Sequence, residues 1–381
     1  MSDRLWDEAI ERMLVRIEDT AARVREGFPL YADPETGEWT ASPDGDWTGG
    51  FWNGMLWLAY ATTGRREYLE WAERWTEMLR PRARSENIFR SFLFYYGAAL
   101  GDILVNNSVG REVGILGAKG LATLYNPNAR AIPLGREAEA VSDVDVGPGD
   151  ANVDGVQATA LLVWAARESG EASLYDIGIQ HALRFIEFCV RDDGSVIQSV
   201  RFDTTSGEVL RHYTHKGYSD DSVWARAQAW AMLGYAVDAI WEPGREEFLE
   251  AAMRTADWWL DHVPDDRVAF WDFDAPAAAG TERDTSATAI AASALLKLGA
   301  LAPTENDRQR YRQEAEATVR TLVESYLTPT GLDDHRKPGI LTGGCYNQRV
   351  GLATDNELVW GDYYLFESLQ VLAGDLDPAA I

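Results

Sequence analysis

A chain of 381 residues is long enough for one large barrel or two ordinary domains. Its formal net charge of −26 argues against binding nucleic acid or an anionic membrane surface. Two distant cysteines, Cys189 and Cys345, exclude a disulfide framework and a cysteine-based zinc site. No apolar run approaches the ~18 residues of a membrane span. The acidic, amphipathic start Met1-Ser-Asp-Arg-Leu-Trp-Asp-Glu lacks the basic region and apolar stretch of a signal peptide, so a cytoplasmic protein is expected. The cations are nearly all arginine, with lysine only at Lys119, Lys216, Lys297 and Lys337. Such a composition suits a salt-filled, halophilic cytosol that screens self-repulsion, and arginine-biased codons produce it equally well.

In chain order, apolar residues recur at helical spacing in about twelve segments. They lie near 4–26, 50–63, 66–80, 91–105, 110–124, 153–168, 172–190, 222–240, 244–262, 285–299, 305–327 and 356–373. Several charge-rich segments share one pattern: an aromatic near the first turn, then an alanine on the same face. Tyr68 with Ala72, Phe248 with Ala252, and Tyr311 with Ala315 show it, and Tyr175 opens a similar segment. The alternate segments are richer in Ala, Leu and Trp and poorer in charge. That asymmetry fits two concentric rings, charge-poor helices inside. Six such hairpins can close as an all-α (α/α)6 barrel formed by residues 1–381 as one domain; an open solenoid is the alternative. Between the helices, Gly194–Asp203 alternates and runs into Thr205-Ser-Gly, a small hairpin. The stretch 127–152 reads as a long irregular loop.

Aromatic residues cluster where the charge-poor helices begin. Asp46-Trp-Thr-Gly-Gly-Phe-Trp52, Trp224-Ala-Arg-Ala-Gln-Ala-Trp230 and Asn356-Glu-Leu-Val-Trp-Gly-Asp-Tyr-Tyr364 are the three clusters. Indole faces cover the C–H face of a pyranose, and carboxylates accept from its hydroxyls, so a sugar ligand is expected. Arg226 beside Trp224 and Trp230 suits a sugar carboxylate, or forms an ordinary ion pair. Asp154, just before the helix at Ala158, is a candidate acid or a plain helix cap. Asp143, Asp145 and Asp150 precede it without the spacing of a calcium loop. His212 and His215 lie in the segment leading to Trp224.

Six motifs in order carry a family resemblance: Asp46–Trp52, Thr214-His-Lys-Gly217, Trp224–Trp230, Phe270-Trp-Asp-Phe273, Arg283–Ala289 and Trp360-Gly-Asp-Tyr-Tyr364. The chain resembles the unsaturated glucuronyl hydrolases, glycoside hydrolase family 88, and more distantly the unsaturated rhamnogalacturonyl hydrolases. The resemblance implies an (α/α)6 barrel acting on the Δ4,5-unsaturated uronic acid that polysaccharide lyases leave at a non-reducing end. It implies Asp154 as proton donor and then water activator, with no metal or cofactor. Trp47, Trp52, Gln198, His215, Lys216, Trp224, Arg226, Trp230, Tyr346 and Trp360 are the expected substrate-binding residues.

The chain also departs from the pattern. Where the family carries a second aspartate in His-Asp-Ile/Leu-Gly-Phe-Leu/Met-Tyr, this sequence reads Ile88-Phe89-Arg90-Ser91-Phe92-Leu93-Phe94. Phe89 replaces that aspartate, Gln198 a substrate-contacting histidine, and Lys216 a glutamine. Glu86 is the nearest acid in sequence that could substitute, and Arg90 and Lys216 would add positive charge at the mouth. Two other functions share these features: a uronate-specific lyase or other glycosidase, with Tyr213 or His215 as base and Arg226 as neutraliser, and an inactive sugar-binding protein. The expected partner is an oligosaccharide with a uronic acid residue, bound by a monomer or homodimer.

Overall fold

The computed structural model describes residues 4–138, 145–276, 282–331 and 334–381. Asp143 lies outside them. The helices are α1 (Arg4–Arg23), α2 (Gly49–Thr63), α3 (Arg66–Leu79), α4 (Arg90–Phe94), α5 (Leu100–Val105), α6 (Ser108–Ala122), α7 (Ala158–Ser169), α8 (Ala172–Cys189), α9 (Ala225–Trp241), α10 (Glu246–His262), α11 (Thr285–Leu301), α12 (Glu305–Ser325) and α13 (Val359–Ala373). α2, α7, α9, α11 and α13 are apolar on every side and buried along nearly their whole length. Such helices persist only where other elements cover them all round. α1, α3, α8, α10 and α12 each bury one stripe and leave charge outside. The inner helices touch in the order α2, α4–α5, α7, α9, α11, α13, and α13 returns to α2. The ring therefore closes, as the (α/α)6 expectation required, and the open solenoid is excluded. No helix among the described residues is long and apolar enough to cross a membrane.

One inner segment differs from expectation. Residues 91–105 do not form a single helix; a π-turn over Tyr95–Ala99 separates α4 from α5. The carbonyl of Gly97 within that turn accepts from Asn53 Nδ2, from Thr76 Oγ1 at 2.7 Å and from Trp57 Nε1 at 3.3 Å. Neighbouring helices thus hold the widened turn open.

Two small antiparallel sheets cap the barrel. One has the order β2 (Trp39–Ser42), β1 (Phe28–Ala32), β6 (Glu357–Leu358); the other runs β3 (Asp150–Asn152), β4 (Ser199–Phe202), β5 (Val209–Tyr213). The expected hairpin is β4–β5, and β1–β2 is a second that sequence reasoning missed. Both turn the same way. Asp33 Oδ1 accepts from the amides of Glu35 and Thr36, and Asp203 Oδ1 from those of Thr205 and Ser206. Gly37 and Gly207 close the turns at φ 68° and 77°, where a Cβ is disfavoured.

Candidate active site

The starts of the inner helices meet at one end of the ring. Gly45 and Asp46 both take positive φ, 91° and 45°, and this sharp turn delivers Trp47 onto the mouth. Trp47 lies 4.7 Å from Trp360 at the start of α13, and its Nε1 donates to Tyr346 Oη at 3.0 Å. Tyr346 packs 5.3 Å from Trp360, and the Lys216 ammonium lies 4.4 Å over the Tyr346 ring. Phe89 stacks on Phe92 with 13° between the planes and closes on Trp47 at 6.0 Å. Trp230, 4.9 Å from Phe92, packs beneath; its buried Nε1 has no hydrogen-bond partner among the described residues.

The acid stands on the other side. Asp154 lies in a 3-10 turn, Val153–Gln157, that leads β3 into α7. It is 8% exposed. The Asn152 amide Nδ2 donates to Asp154 Oδ2 at 3.5 Å. The Val153 amide donates to Gln198 O at 2.9 Å, tying this turn to β4. Ile88 approaches the turn at Gly155, so Asp154 sits between the Phe89 segment and the β4–β5 hairpin. Cys189 is buried close by. Burial first, then the charge of Asp154, pushes its thiol far above the ordinary range and leaves it inert.

Several expected ligand contacts belong instead to the frame. Gln198 Oε1 accepts from Thr214 Oγ1 at 2.5 Å and from the amides of His215 and Lys216, both at 3.1 Å. It builds the Thr214–Gly217 turn, and its oxygen is committed there. His215 rests between Gln198 Nε2 at 3.2 Å and Ser199 Oγ at 3.0 Å. Arg226 is 1% exposed and pairs with Asp284 at 2.8 Å, and it donates to the carbonyls of Cys345 and Tyr346. It lies over Trp224 and Trp360. Both of its Nη atoms are thus committed inside the protein, where they fix Tyr346, in place of the expected carboxylate contact, while its buried Nε has no hydrogen-bond partner among the described residues. Trp224 is the N-cap of α9 and packs on Arg226.

Trp52 is also corrected. Neighbouring helix positions lie ~100° apart. Phe51 faces the barrel axis, against Phe92, Tyr96 and Trp230. Trp52 therefore faces the outer ring, edge-on to Trp75 and beside Arg16 and Trp39. Arg90 is not at the mouth: it is buried and donates to Ala83 O and Asn87 O, and burial pushes its guanidinium down to about 10. Glu86 does not replace the missing acid, being half-exposed and paired with Arg136 at 3.5 Å. Tyr213 donates to Asp150 Oδ1 at 2.9 Å, and burial followed by the charge of Asp150 raises its phenol far above the usual range, the wrong direction for a base.

Sequence reasoning missed Asp284 and Asn152. Asp284 caps α11 through the amides of Ser286 and Ala287, and the Asp-Thr-Ser opening was the legible signal. Asn152 carries no local signal, since its importance comes from strand register. Among the described residues no group of three or more His, Cys, Asp or Glu is placed to hold a metal ion.

A closed helical barrel with an aromatic mouth and a buried aspartate before an inner helix defines a carbohydrate-active (α/α)6 protein. No family model matches the chain. The chain is 32% identical over 374 residues to the unsaturated glucuronyl hydrolase of Bacillus sp. (strain GL1), covering 96% of each. It is 26% identical over 384 residues to the unsaturated chondroitin disaccharide hydrolase of Streptococcus pyogenes serotype M1, covering 97% of this chain and 92% of the other. The crystal structure of the Bacillus sp. GL1 enzyme superposes with a TM-score of 0.88 at 31% identity, covering 96% of both chains. This chain belongs to the unsaturated glucuronyl hydrolase family.

Proposed function

We propose that this chain hydrates the C4=C5 double bond of a Δ4,5-unsaturated uronic acid at the non-reducing end of an oligosaccharide, with Asp154 carrying the chemistry. The observation that carries this reading is the mostly buried Asp154 carboxyl group leading into inner helix α7, at the end of the ring where the Trp47, Tyr346 and Trp360 rings gather. Asp154 gives its proton to C4 as the double-bond electrons form the new C–H bond. Water then adds at C5 and returns a proton to the carboxylate. The hemiketal opens and expels the remaining sugar as an alcohol, so one water is consumed overall. Trp47, Tyr346 and Trp360 cover the sugar face, and Lys216 offers positive charge to the uronate carboxylate. The lyase alternative loses support because Tyr213 is committed to Asp150 and holds its proton tightly.

The test uses unsaturated disaccharides prepared with a lyase. Turnover removes their ultraviolet absorbance, and a lyase would increase the absorbance of intact substrates. Asp154 does not cap α7, whose N-cap is Gln157, and Asn keeps the shape of Asp, so Asp154→Asn should fold normally and bind. General acid–base catalysis contributes about 10²–10⁴-fold, and turnover should fall by at least that range. A stable Asp154→Asn variant with normal turnover refutes the assignment.

A further inference from the structure

Asn152 stands beside the reaction centre with half of its amide unused. It is 1% exposed. It ends β3, paired with Ser199 of β4, which pairs in turn with Tyr213 of β5. Directly paired residues on neighbouring strands share a face, as do positions two apart on one strand. Asp150, Asn152, Ser199, Arg201 and Tyr213 therefore line one face. The others are satisfied there: Arg201 and Tyr213 bond Asp150, and Ser199 bonds His215. Asn152 Nδ2 reaches Asp154 Oδ2 at 3.5 Å, the long limit expected of a catalytic contact that tightens once substrate is bound. Asn152 Oδ1 is buried and has no hydrogen-bond partner among the described residues. A buried acceptor in that state is unfavourable. Its place beside the acid points to a donor that arrives with the substrate.

We propose that Asn152 is a positioning residue for the hydration step: its Nδ2 holds the Asp154 carboxylate, and its Oδ1 accepts a hydrogen bond from the water that adds at C5. One O–H of that water points to Asn152 and the other to Asp154, leaving a lone pair for carbon. The water oxygen bonds C5, one proton passes to Asp154, and Asn152 exchanges nothing. With Phe89 where a second acid was expected, a neutral amide does the steering. This inference rests on the assignment of Asp154 above.

The experiment compares wild type, Asp154→Asn, Asn152→Leu and Asn152→Ser in kcat, KM and pH dependence on an unsaturated disaccharide. Both Asn152 variants should keep KM within about threefold and lose roughly 10–100-fold in kcat. The ionised Asp154 loses the Asn152 amide donor in both, since the shorter serine hydroxyl does not reach as far, so the alkaline limb of kcat/KM should move to higher pH by about half a unit or more. If Asn152→Leu does not fold, Asn152→Ser carries the same comparison. A folded variant with unchanged kcat and pH profile overturns the inference, as does a lowered melting temperature with kcat unchanged. If Asp154→Asn is inert while the Asn152 variants are normal, this inference alone fails. If Asp154→Asn turns over like wild type, or wild type does not turn over at all, both readings fall together.

Discussion

Position 89 concentrates the chemistry that sets this chain apart. A ring stands where a carboxylate was expected, and its neighbours have adapted: Phe89 is 2% exposed, stacked on Phe92 and tilted against Trp47. Restoring an acid there would bury a carboxylate against the Trp47 and Phe92 rings. Removing a buried phenylalanine typically costs about 3–5 kcal/mol, and burying an unpaired carboxylate costs more. Phe89→Asp should therefore lower unfolding stability by at least about 3 kcal/mol in a urea titration. A variant as stable as wild type would mean that the Phe89–Phe92–Trp47 packing contributes little. The sequence exposed this departure because the surrounding Phe92 and Leu93 keep the motif in register. It did not expose the side-chain directions of Trp52, Arg90 and Glu86, because each depends on which neighbour takes the inward position first.

Single helices carry their own strain. α9 is buried almost throughout, and Asp238 near its end is fully buried with neither carboxylate oxygen hydrogen-bonded among the described residues. Burial pushes its carboxyl well above the usual range. The folded value exceeds the unfolded one, so its contribution to stability is complete below about pH 4 and is lost as pH rises through the folded value. Asp238→Asn should raise the melting temperature at neutral pH and flatten its decline above about pH 4, measured across a pH series. An unchanged slope would contradict the burial argument. α6 depends instead on the absence of side chains. A Cβ on Gly117 would fall inside the Phe94 ring of the neighbouring inner segment, and overpacking of this kind costs about 1–3 kcal/mol. Gly117→Ala should show that loss in chemical denaturation; a neutral result would mean that α6 can shift outward freely.

The ring as a whole is closed by α1 packing outside α13, and a buried ion pair fastens that seam. Arg16 Nε donates to Glu357 Oε1 at 2.9 Å and its Nη2 to Oε2 at 2.5 Å, while a second Nη2 contact reaches Gly37 O at 3.0 Å. Glu357 is fully buried. Removing one partner of a buried pair costs about 3–5 kcal/mol, because the other charge is stranded. Arg16→Met should show a loss of that size in urea unfolding; a smaller change would mean the apolar contacts of α1 close the ring unaided. Over longer distances the net charge of −26 acts against compactness. Screening shortens from about 10 Å at 0.1 M salt to about 3 Å at 1 M, so the melting temperature should climb between low salt and molar KCl. A flat profile would remove the halophilic reading.

The alternation of charge-poor and charge-rich helices, and with it the two-ring barrel, was legible because each helix pattern reports how many of its sides are covered. The aromatic mouth and Asp154 were legible because they sit at helix starts, where consecutive residues can reach one space. Which polar side chains face that space was not legible. Gln198, Arg226 and Asn152 are all buried amides or cations beside the mouth, yet the first two are consumed by a turn and an ion pair with Asp284. Only the pairing of β3 with β4, and the packing of α9 against the loop at Cys345 and Tyr346, decided which of their polar atoms are taken up inside the protein. Partners that sit 58 to 120 residues apart in sequence leave no local pattern; hydrogen bonds are satisfied by proximity in space, which the closed ring creates.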